Sequence, residues 1–353
     1  MALLEIRGLH KRFPVRGGRF VHAVNGVDLA IERGETHGLV GESGSGKSTV
    51  GRLILRLIEP DAGVGTFDGQ DLFALRGAEL RTIRRRMQLI YQDPASSLDP
   101  RWTARDLVAE PWAIGGMFDA AERRRRAEAL LERVGIDADQ AGKRPGAFSG
   151  GQLQRIGIAR ALALEPDLVI CDEPVSALDV SVQGQIINLL QDLQAERGIS
   201  YLFIAHDLGV VRHLSDRVSV MYLGRIVETG TRDEVFDHPV HPYTRALLAA
   251  MDPADPTALH GRLVPADPPR PTDPPSGCAF RTRCPFAAAL CAAEMPELVD
   301  RGHGHPAACH RAAEVVASDA LPAVEAGPTV VSPIAAGSAA AAASAARPGP
   351  AGH

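Results

Sequence analysis

Gly41-Glu-Ser-Gly-Ser-Gly-Lys-Ser-Thr49 follows the apolar run His37-Gly-Leu-Val40 and opens a helical pattern. The segment fits G-x-x-x-x-G-K-S/T in the strand–loop–helix context that gives the motif its meaning. Its glycines (Gly41, Gly44 and Gly46) let backbone N–H groups converge on an anion without Cβ clashes. Ser43, Ser45 and Thr49 complete the polar lining. A helix starting near Lys47 adds its positive end. Lys47 offers a point charge for β and γ phosphates, and Ser48 a hydroxyl for Mg²⁺. The expectation is a nucleoside-triphosphate site.

The complement of such a loop is a buried strand ending in an acid. Leu168-Val-Ile-Cys-Asp-Glu173 supplies it. Four apolar residues in a row imply burial on both faces, so Asp172 emerges at the strand end, where it holds Mg²⁺ through water. Glu173 points differently and is placed to polarise an attacking water as general base. A second acid directly after the first favours hydrolysis over binding alone.

Outward from these two strands, residues 1–255 alternate short apolar runs with helical patterns, which reads as α/β. Strands are expected at Leu3–Leu9, Val21–Ile31, Glu35–Val40, Gln88–Tyr91, Leu168–Cys171, Ser200–Ala205, Val218–Tyr222 and Arg225–Glu228. Helices are expected at Lys47–Leu57, Ala121–Val134, Gly151–Leu164, Val182–Glu196 and Leu208–Leu214. About 93–164 carries almost no strand signal and reads as a helical subdomain. From 252 the composition changes: eight prolines in 252–276 read as a linker or extended arm. Residues 256–312 form a small extension holding four of the five cysteines. Residues 313–353, rich in Ala, Gly, Pro and Ser, are expected to be disordered.

The whole chain has 353 residues, net charge −5 and 45% hydrophobic residues. These values exclude a disordered chain, a disulfide-dense miniprotein and a strongly basic nucleic-acid binder. No apolar run reaches 18 residues, so no span is expected. The start, MALLEIRGLHKRF, meets a charge at Glu5 and lacks a signal-peptide core. Cations are nearly all Arg, with Lys only at 11, 47 and 143. Runs such as Arg123 to Arg126 read as solvated helix faces.

Phe148-Ser-Gly-Gly-Gln-Leu-Gln-Arg155 provides a second glycine-lined helix start, with Ser149 as its N-cap. This segment resembles the signature loop of ABC ATPases, with Phe148 in place of the usual first Leu. The family's other elements follow in order: Gln92 in Tyr91-Gln-Asp-Pro94, Ser176-Ala-Leu-Asp179, and His206 in Ile204-Ala-His-Asp207. Phe13 fits the aromatic that stacks on adenine. The resemblance covers 1–255 without a gap. It implies a nucleotide sandwich in which ATP and Mg²⁺ lie between the phosphate loop of one subunit and the signature loop of another. Ser149, Gly151 and Gln152 would then act in trans, with Asp179 nearby. Glu173, His206 and Gln92 would be the catalytic set, and Ser48, Gln92 and Asp172 the Mg²⁺ set.

Three further segments resemble the oligopeptide/dipeptide importer ATPases. They are Gln92-Asp-Pro-Ala-Ser-Ser-Leu-Asp-Pro-Arg101 (Asn is commoner at position 99), His241-Pro-Tyr-Thr-Arg-Ala-Leu-Leu248, and Pro275-Ser-Gly-Cys-Ala-Phe-Arg-Thr-Arg-Cys-Pro-Phe286. Gly51-Arg52 and the Pro-Pro-Ser-Gly-Cys wording favour the F-type subunit. The resemblance implies a second ATPase subunit (a D-type paralogue or a second copy), two transmembrane permeases and an extracellular binding protein. No nucleic-acid partner is implied. The place implied is the cytoplasmic face of the cell membrane, held peripherally. The alternatives are a soluble ABC ATPase outside transport, or an importer of a non-peptide ligand such as a nickel chelate or glutathione.

Cys278, Cys284, Cys291 and Cys309 are spaced x5, x6 and x17. Clustered thiols in a Pro-rich segment suggest a metal-held knot. Four thiolates suit a 4Fe–4S cluster, which members of the resembled family carry there. His303, His305 and His310 keep zinc open as the alternative. Cys171, in the buried strand, reads as a small core residue.

Overall fold

The apolar runs of the sequence become two sheets. The computed structural model describes residues 2–250, 269–302 and 304–318. Its strands are β1 (Leu4–Val15), β2 (Arg19–Ile31), β3 (Thr36–Val40), β4 (Ala62–Phe67), β5 (Gln70–Asp71), β6 (Met87–Ile90), β7 (Leu168–Asp172), β8 (Ser200–Ala205), β9 (Arg217–Tyr222) and β10 (Arg225–Thr231). The first sheet is antiparallel in the order β2-β1-β4-β5; the second runs β10-β9-β3-β8-β7-β6. In the second, β9, β3, β8, β7 and β6 are mutually parallel, and β10 turns back antiparallel on β9. Strands β3, β7 and β8 are buried at every residue, as expected of a parallel sheet covered on both faces.

The helices are α1 (Lys47–Ile54), α2 (Gly77–Arg86), α3 (Pro94–Ser97), α4 (Ala104–Ile114), α5 (Ala120–Arg133), α6 (Gly150–Leu162), α7 (Val180–Arg197), α8 (Leu208–Leu214), α9 (Arg232–Asp237), α10 (Pro242–Ala249), α11 (Ala289–Ala293) and α12 (Ala312–Ala317). Alternate residues of the parallel strands feed two cores. Leu168 and Ile170 join α1 and the antiparallel sheet; Val169, Cys171, Tyr201 and Phe203 face the helices from α4 onward. Cys171 is therefore a core residue, as its position suggested.

The expected elements fall inside or beside observed ones, with three kinds of difference. Strand β1 runs past Leu9 to Val15, because the Gly17 and Gly18 turn, both at positive φ, folds β2 back on it. Strand β4 is hidden in the sequence by two glycines and an exposed Val64. Helix α4 holds Pro111 in its interior, and the neighbouring Trp112 indole donates to the Ala163 carbonyl (2.7 Å), tying α4 to the end of α6. Between Ile90 and Leu168 there is no strand.

The extension closes onto the nucleotide domain. Ala308 N–H donates to Val227 O (2.8 Å), Thr229 N–H to Pro306 O (3.1 Å), and Ala307 bridges Glu228, so the outer edge of β10 is covered. Phe280 enters an aromatic group with Tyr222, Tyr243 and His241. The expected disordered tail needs correction at its start. Residues 313–317 belong to α12, and Val315 is fully buried against Val240, Ala307 and Cys309. Apolar residues at 312 and 315 share one helical face, which gives this turn a surface to pack. Residues 319–353, and 251–268 of the expected linker, lie outside the described residues.

His241 sits at this junction, 2% exposed, with Nδ1 accepting from Tyr243 N–H at the start of α10. Burial lowers its pKa to about 4, outweighing the Glu228 carboxylate, which raises it. On acidification the unfolded chain takes up this proton first. The stability tied to the neutral ring is therefore complete above the ordinary value of 6.5 and is lost as pH falls toward 4. We expect this residue to cost about 3 kcal/mol of unfolding free energy between pH 7 and pH 4. Denaturant titrations across that range check it; His241→Asn, which keeps a side-chain cap, should flatten the slope.

Candidate functional site

Strand β3 delivers the loop to α1 through a narrow passage. Gly41 has φ +148°, and a Cβ there would lie 2.1 Å from Met221 O. Gly46 has φ +109°, and a Cβ would lie 2.0 Å from Ala23 O. Strands β9 and β2 thus press on the loop from two sides, and only glycine fits. Gly46 is the N-cap of α1 and offers no side-chain cap, so the helix start keeps free N–H groups for an anion. Ser45 Oγ is buried without a partner, and nothing lies within 4 Å of a Cβ built on Gly44. These features fit a bound polyphosphate.

Lys47 is 4% exposed, and its Nζ donates to Gly41 O (2.7 Å) and Glu42 O (3.0 Å). Burial lowers its pKa, against the raising pull of Glu173, Asp172 and Glu42. Ser48 Oγ donates to Asp172 Oδ1 at 2.6 Å. This pair of hard oxygen donors has the chemistry Mg²⁺ prefers. Bound there, Mg²⁺ would neutralise charge on the phosphate oxygens.

Glu173 leaves β7 at φ +50°, a left-handed conformation for a residue with a Cβ. Its N–H donates to Ile204 O (2.9 Å), which holds the turn. The carboxylate accepts from Gln92 Nε2 (2.9 Å) and lies 3.2 Å from His206 Nδ1. Gln92, Glu173 and His206 are thus brought together from three separate strand ends. Backbone strain of about 1–3 kcal/mol is commonly tolerated where it aims a functional group.

Beside the loop lies a cavity of about 260 Å³, lined by Ser43, Gly44, Gly46, Lys47, Ser48 and Thr49, with Gln92 and Glu173. The sequence reading missed its other walls. They come from β2 (Val21, His22 and Ala23), from the β9–β10 turn at Leu223 and Gly224, and from Pro271 of the extension. Leu223 and Gly224 both take positive φ, the mark of a tight hairpin turn. Three more residues were passed over. Glu42 N–H donates to Tyr243 Oη (2.8 Å), and the Glu42 carboxylate is gripped by Arg283.

Other expected residues lie apart. Phe13 pairs with Val21 on the neighbouring strand, with Lys11 Nζ 5.7 Å from its ring centre, and does not itself line the cavity. Ser149 and Gln152 form a reciprocal capping box at the exposed start of α6. Gly151 packs on α7, where a Cβ would meet Val182 at 2.5 Å. Asp179 is the N-cap of α7 and makes no side-chain cap bond. None of Ser149, Gly151, Gln152 or Asp179 lines the cavity.

The cysteine expectation is corrected in part. Cys278, Cys284, Cys291 and Cys309 are all free thiols, with Cys278 N–H donating to Cys291 O (2.8 Å). Burial pushes Cys284 and Cys309 up to about 12, and both lie in the fields of the other thiols. Among the described residues no group of three or more His, Cys, Asp or Glu is placed to hold a metal ion. Of the histidines weighed for zinc, His305 Nε2 bonds Glu228 (2.7 Å) and His310 Nε2 meets Glu294 O (3.0 Å), and His303 lies outside the described residues. An iron–sulfur cluster likewise receives no support from this arrangement.

Residues 24–176 match the ABC transporter family, and 227–291 match the oligopeptide/dipeptide transporter C-terminal region. The chain is 48% identical to the oligopeptide transport ATP-binding protein AppF of Bacillus subtilis, covering 87% of this chain and 97% of that one. It is 51% identical to a putative peptide import ATP-binding protein of Brucella ovis (88% and 98% covered). Among solved structures, the dimeric ATP-binding cassette MJ0796 in a post-hydrolysis state with ADP and Pi aligns at TM-score 0.60 and 31% identity, covering 65% of this chain and 98% of that one. CbiO1 from Clostridium perfringens aligns at TM-score 0.60 and 30% identity (67% and 91% covered).

Gly46→Ala should drive a methyl into the Ala23 carbonyl and open the loop. We expect ATP affinity to fall by about tenfold or more, from strain of at least ~1.4 kcal/mol. Equilibrium titration with labelled ATP checks this; unchanged affinity would mean the loop does not form the site.

Proposed function

The chain belongs to the ATP-binding subunits of ABC transporters that carry the oligopeptide/dipeptide C-terminal region, and from that premise we propose how this ATPase powers import of di- and oligopeptides through partner permeases. One observation carries the mechanism. Lys47, the Ser48–Asp172 pair and the Gln92–Glu173–His206 group converge on a single side of the loop, while the Ser149 helix start is exposed and stands outside the cavity. The loop binds the phosphates; Ser48 and Asp172 would hold Mg²⁺, with Gln92, bonded to Glu173, placed to sense the same centre. Glu173 accepts the proton of the attacking water, and His206 orients Glu173 and meets the γ-phosphate. Phe13 supplies an apolar face for adenine. Ser149, Gly151 and Gln152, with Asp179, complete the site of an opposing subunit, so a lone protomer holds half a site.

The partners follow from the same reading. The F-type assignment pairs this subunit with a D-type paralogue, or otherwise with a second copy. A groove of about 810 Å³ lies between the sheet and the helical subdomain, lined by Leu57, Met87, Tyr91 and Ile114 and rimmed by Arg81, Arg84 and Arg160. Ile114 is 80% exposed there. An apolar floor with a basic rim next to Gln92 suits a permease segment, which would feel the nucleotide through that glutamine. Among the described residues no helix is long and apolar enough to cross a membrane, in keeping with a peripheral place on its cytoplasmic face. An external binding protein would supply the peptide.

The four cysteines enter this proposal as candidate ligands of a structural 4Fe–4S cluster. What speaks for them is donor type: four thiols clustered in one Pro-rich segment suit such a cluster. Anaerobic purification with iron and acid-labile sulfide assays decides this point.

Glu173→Gln should keep ATP binding, lower turnover by about 100-fold or more, and accumulate an ATP-bound dimer on gel filtration. Turnover at the unaltered rate would remove Glu173 as base. Ser149→Arg in both protomers should abolish hydrolysis while the loop still binds ATP. Uptake of a labelled tripeptide by vesicles holding the chain and its permeases tests the substrate class.

A further inference from the structure

The extension reaches the phosphate loop through one ion pair. Arg283 Nη1 donates to Glu42 Oε2 and Nη2 to Glu42 Oε1, both at 2.9 Å. The fork is two-pronged, the geometry in which guanidinium and carboxylate bind most firmly. Arg283 is 5% exposed, and its guanidinium lies 5.9 Å from the ring centres of Tyr222 and Phe280. Its backbone is fixed in a turn, with Arg283 N–H donating to Phe280 O (3.0 Å), between Cys278 and Cys284. Glu42 is the second residue of the loop. Its N–H is held by Tyr243 Oη, its carbonyl takes the Lys47 ammonium, and its carboxylate charge is felt at Lys47.

We propose that Arg283 is a positioning residue for the nucleotide site, acting through Glu42 to cancel a carboxylate charge that would otherwise oppose the phosphates. The inference rests on the reading of the loop as the ATP site. It makes the extension a regulator of ATP affinity: whatever displaces the 278–284 turn releases Glu42. The chemistry is ordinary electrostatics. A triphosphate entering beside Lys47 meets Asp172 and Glu173, which Mg²⁺ offsets. Glu42, whose charge also acts on Lys47, has Arg283 as its paired cation.

The test is a four-chain comparison on the full protein: unaltered, Arg283→Gln, Glu42→Gln and the double variant. Equilibrium titration gives Kd for Mg·ATP, steady-state assays give KM and kcat, and thermal unfolding reports folding. Arg283→Gln should raise Kd and KM about tenfold while kcat at saturating ATP stays within about twofold. Glu42→Gln should tighten binding by about threefold. The double variant should return to within about threefold of the unaltered Kd, a strongly non-additive result. A merely structural role would lower the unfolding temperature most in the single variants, where one charge is left unpaired, and leave Kd of the folded variants unchanged. If Arg283→Gln does not fold, Glu42→Gln carries the test alone: weaker ATP binding overturns the inference, tighter binding supports it. Unchanged Kd in Arg283→Gln, or no recovery in the double variant, overturns the inference while ATP binding by the unaltered chain keeps the loop reading intact. No ATP binding by the unaltered chain overturns both.

Discussion

The free N–H groups at the start of α1, with Lys47 beside them, are the contact on which the rest depends. They exist because Gly46 begins the helix without a side-chain cap and because Gly41 and Gly46 let the loop pass between Met221 and Ala23. A helix start left unsatisfied is costly unless an anion comes to it. The carboxylates opposite, on Asp172 and Glu173, are held close by a buried strand and a strained turn. The fold therefore stores two opposed demands in one small volume: donors wanting negative charge, and acids needing a cation between them and any phosphate. ATP with Mg²⁺ would meet both at once, which neither partner alone would do.

Much of this was legible in the sequence, and the reasons are physical. Buried parallel strands read as unbroken apolar runs, so β3, β7 and β8 announce themselves, and motifs at their ends land where strand register puts them. Glu173 was separable from ordinary polar residues because it follows such a run, whereas Gln92 and His206 were placed by resemblance to a family's ordered motifs. What stayed hidden was of two kinds. Strand β4 has glycines and an exposed valine, and α2 is arginine-rich and buries only Ile83, so neither carries a strong periodic signal. The contacts of Glu42 with Tyr243 and Arg283 span about 200 residues and more. No local pattern encodes a partner that far away. Phe13, placed by motif, does not itself line the cavity but pairs with Val21, which does.

The extension, read from sequence as an appendage, is wired into the nucleotide domain. It covers the free edge of β10, where unpaired backbone groups would otherwise invite another strand. Glu228, fully buried in β10, accepts from Val240 N–H and His241 N–H and pairs with His305 of the extension. A buried carboxylate without such partners would cost several kcal/mol. The extension thus repays a debt built into the domain itself. Cys309 packs within that junction against Val240 and Ala307, and Cys278 and Cys284 pack against the core that holds Phe280.

Charge counting ties these parts together. Around Lys47 stand three acids: Glu42, Asp172 and Glu173. Glu173 is screened by the Gln92 amide and the adjoining His206, and Asp172 by the Ser48 hydroxyl. These partners all lie within the nucleotide domain and are free to exchange when ATP and Mg²⁺ arrive. Glu42 differs, since its countercharge comes from the extension, is nearly inaccessible to water, and has no exchange to make. A fixed ion pair at the loop entrance and adjustable ones at its floor divide the work: the first sets how readily phosphate is accepted, and the second responds to what phosphate then does.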